Sequence, residues 1–125
     1  MKRILAGVVL TLMLTGGAAA GPLEEGVAAY TRGDYATALR LQRPLAEYGD
    51  AFAQLTLGLI YYHGQGVPQD YVQAHKSLNL AASRFSASEA EMRDQAVVLR
   101  DGTAALMTPA QIAEAQKLAR DWKPK

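Results

Sequence analysis

His63 and His75 are the only histidines of the 125-residue chain, which has no cysteine. A zinc site asks for three or four convergent nitrogen, sulfur or carboxylate ligands. Two lone histidines on what read as separate helices are a poor start on one, so no metal or other cofactor is expected. Ser77, Ser83, Ser86 and Ser88 lack the Gly-x-Ser-x-Gly setting that exposes a nucleophilic hydroxyl on a strained turn. Glu89, Glu91 and Asp94 surround Arg93 and read as a solvated helix face rather than as paired catalytic acids. The most suggestive stretch is "YYHGQGVPQDY", residues 61–71, because closely spaced glycines can cradle a phosphate. Such a cradle follows a strand and carries Gly-x-Gly-x-x-Gly or a Gly-Lys-Ser ending. Here the glycines follow a helical pattern, and the loop holds neither lysine nor serine, so a sharp turn is the preferred reading. Six tyrosines suggest one more chemistry, stacking against sugar rings. Tyr30, Tyr35, Tyr61 and Tyr71 sit at repeated positions that packing explains more simply, whereas Tyr48 and Tyr62 do not.

The elements that must position these residues read as helices throughout. Alanine and leucine recur, and no stretch shows sustained β-branched alternation. Gly33-Asp34 closes one helix and caps the next, and Gly49-Asp50 repeats the device. Ser86 with Glu89, or Ser88 with Glu91, offers a capping box. Thr108-Pro109 places a cap residue before a first-turn proline. The punctuation predicts six helices, at about 23–32, 35–48, 51–63, 70–85, 88–106 and 109–122. Asp101-Gly102 is a point at which the fifth could end early.

Within the helices there is a repeat. Tyr30-x-x-Gly33 is echoed by Tyr61-x-x-Gly64, and Asp34-Tyr35-x-x-Ala38 by Asp70-Tyr71-x-x-Ala74. The aspartates lie 36 residues apart and the tyrosines 31, so Gln65 to Gln69 lengthen the second turn. Two helix–turn–helix hairpins at this period suit a solenoid of the tetratricopeptide type. In the second turn Gly64 would end a helix in the left-handed conformation, Gly66 would bend again, Pro68 would fix its φ, and Asp70 would cap the next helix. Val67, the one apolar loop residue, is expected to tuck between helices. Phe52, Leu55, Leu57, Leu59, Ile60, Tyr61 and Tyr62 surround the third helix on all sides, which predicts a buried centre for the stack. Ile112, Ala115, Ala119 and Trp122 share one face of the last helix, as a cap would require.

The run "AQLTLGLIYYHGQGVPQDYVQAHKSLNLAA" resembles a Sel1-like repeat, a relative of the tetratricopeptide repeat. The matching residues are Ala53, Leu57, Gly58, Tyr61, Gly64, Gly66, Val67, Asp70, Ala74, Ala81 and Ala82. The match covers one complete repeat, about 51–86, and more loosely the hairpin at about 23–49. Leu78 departs from it, since the family usually has an aromatic residue there. The tail "MTPAQIAEAQKLARDW" resembles the closing helix that often follows such repeats, giving a cap at about 88–122. The resemblance implies an all-α, α/α solenoid that binds other proteins, often in bacterial envelopes or secretion, and it does not imply catalysis.

The two ends of the chain bear on compartment and charge. Lys2 and Arg3, an apolar run from Ile4 to Leu14 and the small residues "TGGAAAG" form the three-part pattern of a secretory signal peptide. That run would span about 16 Å as a helix, short of a ~30 Å bilayer core, so cleavage after Ala20 is expected rather than stable membrane insertion. Residues 21–125 would then form one domain, periplasmic or secreted. Losing Lys2 and Arg3 leaves 11 basic against 12 acidic residues, a formal charge of −1. That balance argues against nucleic acid as a partner.

The leading expectation is therefore a non-catalytic adaptor whose partner is another protein or a peptide segment. The alternatives are an envelope enzyme, which would need a pocket of converging polar groups, and a glycan or small-ligand binder using exposed tyrosines. Solenoids of this kind present the first helix of each hairpin on a concave side. The expected groove is lined by Arg32, Thr56, Ile60 and His63. The competing expectation is that the fifth helix covers this side as core.

Overall fold

The computed structural model describes residues 21–125; the expected signal segment lies outside them. Six α-helices follow one another: α1 (Pro22–Thr31), α2 (Tyr35–Tyr48), α3 (Ala51–His63), α4 (Tyr71–Arg84), α5 (Ala90–Ala104) and α6 (Pro109–Asp121), with a short 3₁₀ turn at Ala87–Glu89 before α5. Among the described residues there is no strand. The fold is all-α and helical-repeat-like, each of the first four helices packing on the next, while α6 returns to α4.

The caps set the helix bounds as their chemistry dictates. Asp34, Asp50 and Asp70 each accept a bond from the backbone N–H three residues on, those of Thr37, Ala53 and Gln73, at 3.3, 2.8 and 3.1 Å. Each carboxylate so satisfies one of the donors a helix start leaves unpaired. Ser86 pairs with Glu89 in a capping box, and Thr108 with Gln111 in another. The Ser86 box opens a 3₁₀ turn, so α5 proper begins at Ala90, later than the pattern predicts. The helix runs on through Gly102 to Ala104. Pro44 lies inside α2, where it withholds an N–H from the carbonyl of Arg40.

The centre of the stack is α3. Every residue from Ala53 to Ile60 is buried. Ala53, Leu57 and Ile60 join Ala29 of α1 and Ala38, Leu39 and Ala46 of α2 in one apolar cluster. Leu55 and Leu59 join Leu78, Ala81 and Ala82 of α4, Phe85 just beyond it, and Met92 and Ala96 of α5 in a second. A helix with a core on each side cannot keep a polar face, which is why its apolar residues go all the way round. The α3–α4 approach depends on Gly58: a Cβ there would lie 2.6 Å from Leu78 Cγ and 2.7 Å from its Cδ2. Ala74, which is fully buried, also lies at this contact, its carbonyl 3.5 Å from the same point.

The turn at residues 64–70 packs back onto the first hairpin. Gly64 and Gly66 have φ of +70° and +77°, a region that side chains with a Cβ avoid. The bends carry Gly66 to Tyr35, whose Cβ would sit 3.0 Å from an added Cβ. Gln65 Nε2 donates to the Tyr35 hydroxyl at 3.1 Å. Val67 packs against the cluster shared by α1, α2 and α3. At its far end the loop is tied to α3: the Asp70 N–H donates to the Tyr61 carbonyl at 2.9 Å and Gln69 Nε2 to the Tyr62 carbonyl at 2.9 Å.

Candidate functional site

The four residues expected to line a groove do not share one. Thr56 is 2% exposed, and its hydroxyl donates to the Phe52 carbonyl of its own helix at 3.0 Å. Ile60 is fully buried in the α1–α2–α3 cluster. Neither presents a surface to a partner. The side Ile60 occupies is core, covered by Ala29 of α1 and Ala38, Leu39 and Ala46 of α2. His63 is half-buried, its ring edge-on to Tyr62 at 5.0 Å. Arg32 is exposed, 3.5 Å from Asp34, and borders a shallow outer hollow of about 280 Å³ with Arg40, Glu25 and Thr37, away from α3. The expected concave groove is thus replaced by buried packing.

An open cleft lies elsewhere, between α2 and α4 with α3 as its floor. Its lining comes as one stripe from each helix. Arg43, Ala46 and Glu47 form the α2 wall, Gln54, Leu57 and Tyr61 the floor, and Gln73, Lys76, Ser77 and Leu80 the α4 wall. These are the i, i+3, i+4 and i+7 positions that put side chains on one helix face. Trp122, just beyond α6, closes one edge, and the cavity measures about 120 Å³.

Gln54 sets the chemistry of the floor. It is 2% exposed, and its Nε2 donates to the Ala46 carbonyl at 3.1 Å. Its Oε1 has no hydrogen-bond partner among the described residues. A carbonyl can only accept, so the amide must keep its NH₂ toward Ala46 and present its oxygen the other way. A buried acceptor without a donor costs about 1–3 kcal/mol. Ser77, 7% exposed, adds a hydroxyl to the α4 wall.

Cations border the cleft. Arg43 Nη2 donates to the Tyr61 hydroxyl at 3.3 Å. Glu47 is the one acidic lining residue, and it is engaged by Lys125, whose Nζ lies 2.8 Å from Glu47 Oε1 and whose N–H donates to the Glu47 carbonyl at 3.0 Å. The hydrogen bond from Lys125 holds the Glu47 carboxyl below its ordinary range, with Arg43 and Lys76 adding to the effect. Trp122 is held by Arg84, whose guanidinium lies 5.3 Å from the ring centroid and also donates to the Gly49 carbonyl at 2.7 Å.

Of the residues singled out in the sequence, Leu57, Tyr61, Ser77 and Trp122 reach this cleft, none of them as part of the expected groove. Gln54 was its best signal, an amide in the middle of a helix otherwise apolar all round. The stripe on α4 was a second signal, since its polar positions recur at helical spacing. Among the described residues no group of three or more histidine, cysteine, aspartate or glutamate side chains could hold a metal ion. Likewise none of their helices is long and apolar enough to cross a membrane. No family model matches the chain, and no curated protein or solved structure matches it.

Proposed function

We propose that the chain is a Sel1-like helical-repeat module, periplasmic or secreted, that holds a segment of another protein in the cleft between α2 and α4. The observation that carries this reading is the open cleft itself, with Arg43 and Lys76 on its two walls and an apolar surface from Leu57 and Leu80 between them. Together with Trp122, Leu57 and Leu80 offer surface for the side chains of a peptide. The cleft contains neither histidine nor cysteine, its single carboxylate is occupied by Lys125, and no base is hydrogen-bonded to its Ser77 hydroxyl among the described residues, which supports binding over acid–base or nucleophilic catalysis. The spacing from Ala53 to Ala82 supports the Sel1-like assignment, and the pattern of residues 1–20 supports export.

The test is affinity capture from cell-envelope extract, comparing the native chain with an Arg43→Glu/Lys76→Glu variant whose thermal melting is checked alongside. A defined protein partner, retained by the native chain and lost by the variant at unchanged melting temperature, is expected. Capture that survives both substitutions would place the binding surface outside the cleft and count against the proposal.

A further inference from the structure

We infer that the segment bound in the α2–α4 cleft is acidic, a glutamate or aspartate side chain on an extended peptide; this rests on the binding reading above. Three observations converge on that chemistry. First, Arg43 and Lys76 stand on opposite walls, and neither is in an ion pair among the described residues. The only acid among the lining residues, Glu47, is already neutralised by Lys125. The cleft therefore carries uncompensated positive charge on a chain whose residues 21–125 are net negative. Second, Leu57 and Leu80 line the cleft between the two cations, an apolar surface that suits the methylenes of an acidic side chain. A free inorganic anion brings charge but no methylenes for that surface. Third, the size suits a single side chain. About 120 Å³ is close to the ~150 Å³ of a protein cavity that takes up a benzene ring, which suits one carboxylate side chain with its methylenes.

The carboxylate meets Arg43 and Lys76, and the methylenes lie on Leu57 and Leu80. Salt weakens the interaction, because both cations sit near the surface. Trp122, the single tryptophan of the chain, borders the site and reports its occupation.

The experiment titrates the purified full chain with blocked tetrapeptides, acetyl-Ala-Glu-Ala-Ala-amide and its glutamine counterpart, and with glutarate, following tryptophan fluorescence. The glutamate peptide is expected to give a saturable change and to bind at least about tenfold more tightly than the glutamine peptide, as loss of a charge-assisted hydrogen bond would require. Lys76→Gln should weaken it by about tenfold and flatten its salt dependence, and Arg43→Gln should act in the same direction. Equal binding of the two peptides would overturn the acidic inference while leaving the capture of a protein partner intact. Glutarate binding as tightly as the peptide would overturn it in favour of a free small acid. The absence of any saturable change with all three probes would overturn it as well.

Discussion

At the scale of single residues, the contact that sets the spacing of the second hairpin is Gly58 against Leu78. A Cβ at position 58 would fall 2.6 Å from Leu78 Cγ, the branch point of a side chain that is 1% exposed. Leu78 cannot swing away, so the α3–α4 distance must open. Overpacking of this kind costs about 1–3 kcal/mol, which outweighs the ~1 kcal/mol that alanine gains over glycine in a helix. Gly58→Ala should therefore lower stability in urea melts. In a Leu78→Ala background the same change should become neutral or stabilising, and additive effects would show that the contact is not the cause. Gly102 is the control: it is exposed within α5 with nothing within 4 Å of an added Cβ, so Gly102→Ala should stabilise by about 0.5–1 kcal/mol. The Gly58–Leu78 pair has a counterpart, since a Cβ on Gly26 would meet the buried Gln42 side chain at 2.6 Å. Gln42 and Leu78 each lie eight residues after a capping aspartate, so the hairpins share a packing device as well as a turn. The sequence motif alone shows Leu78 as a departure from an aromatic pattern; its partner across the interface explains why leucine fits.

At the scale of elements, the turn at residues 64–70 does more than reverse the chain. It brings Gln65 to the Tyr30–Tyr35 pair, whose rings meet edge-on at 5.7 Å. Burial pushes the Tyr30 hydroxyl up to about 12, opposed by the nearby Gln65 amide and aided by Tyr35. The folded form thus keeps its Tyr30 proton at a pH where the unfolded chain, titrating near 10, has lost it. The resulting stability is complete below pH 10 and disappears as pH rises through about 12. Thermal melting of the parent should fall more steeply across that window than melting of Tyr30→Phe, and parallel curves would sever the link between Tyr30 burial and alkaline stability. The bounds of α2 and α3 were readable from sequence because local chemistry decides them: an aspartate caps each start and a glycine follows each end. The start of α5 was not, because two overlapping boxes were available and Ser86–Glu89 closes a 3₁₀ turn first, with Ser88 bonded to Ser86 at 2.9 Å. The docking of the loop on the first hairpin was not readable either. Val67 was visibly the apolar residue that must be buried, but the partner surface belongs to tertiary packing. The same reason explains the misplaced groove. Thr56, Ile60 and His63 do share a helix face by spacing, yet spacing does not say which neighbour covers that face.

At the scale of the whole molecule, stability should fall off from the centre of the stack toward its C-terminal end. The buried residues from Ala53 to Ile60 make α3 part of both clusters, so its amides are released only when the whole core opens. α6 buries Ala115 alone and packs on α4 alone among its larger contacts. Beyond it, Trp122 meets Arg84 and Lys125 meets Glu47, at the ends of α4 and α2. The Lys125–Glu47 pair is exposed and screened, so it contributes little to holding α6 in place. Hydrogen exchange should accordingly find α6 amides opening at least about 100-fold more readily than those of α3, in a local event that leaves the core closed. Trp122→Ala should raise that opening further without changing exchange in α3, because it removes the cation–π contact and the edge of the α2–α4 cleft together. Equal protection of α6 and α3 would make the closing helix part of the global cooperative unit. The cleft edge would then be as rigid as its floor, and a peptide would have to enter a preformed site rather than one whose tail wall yields.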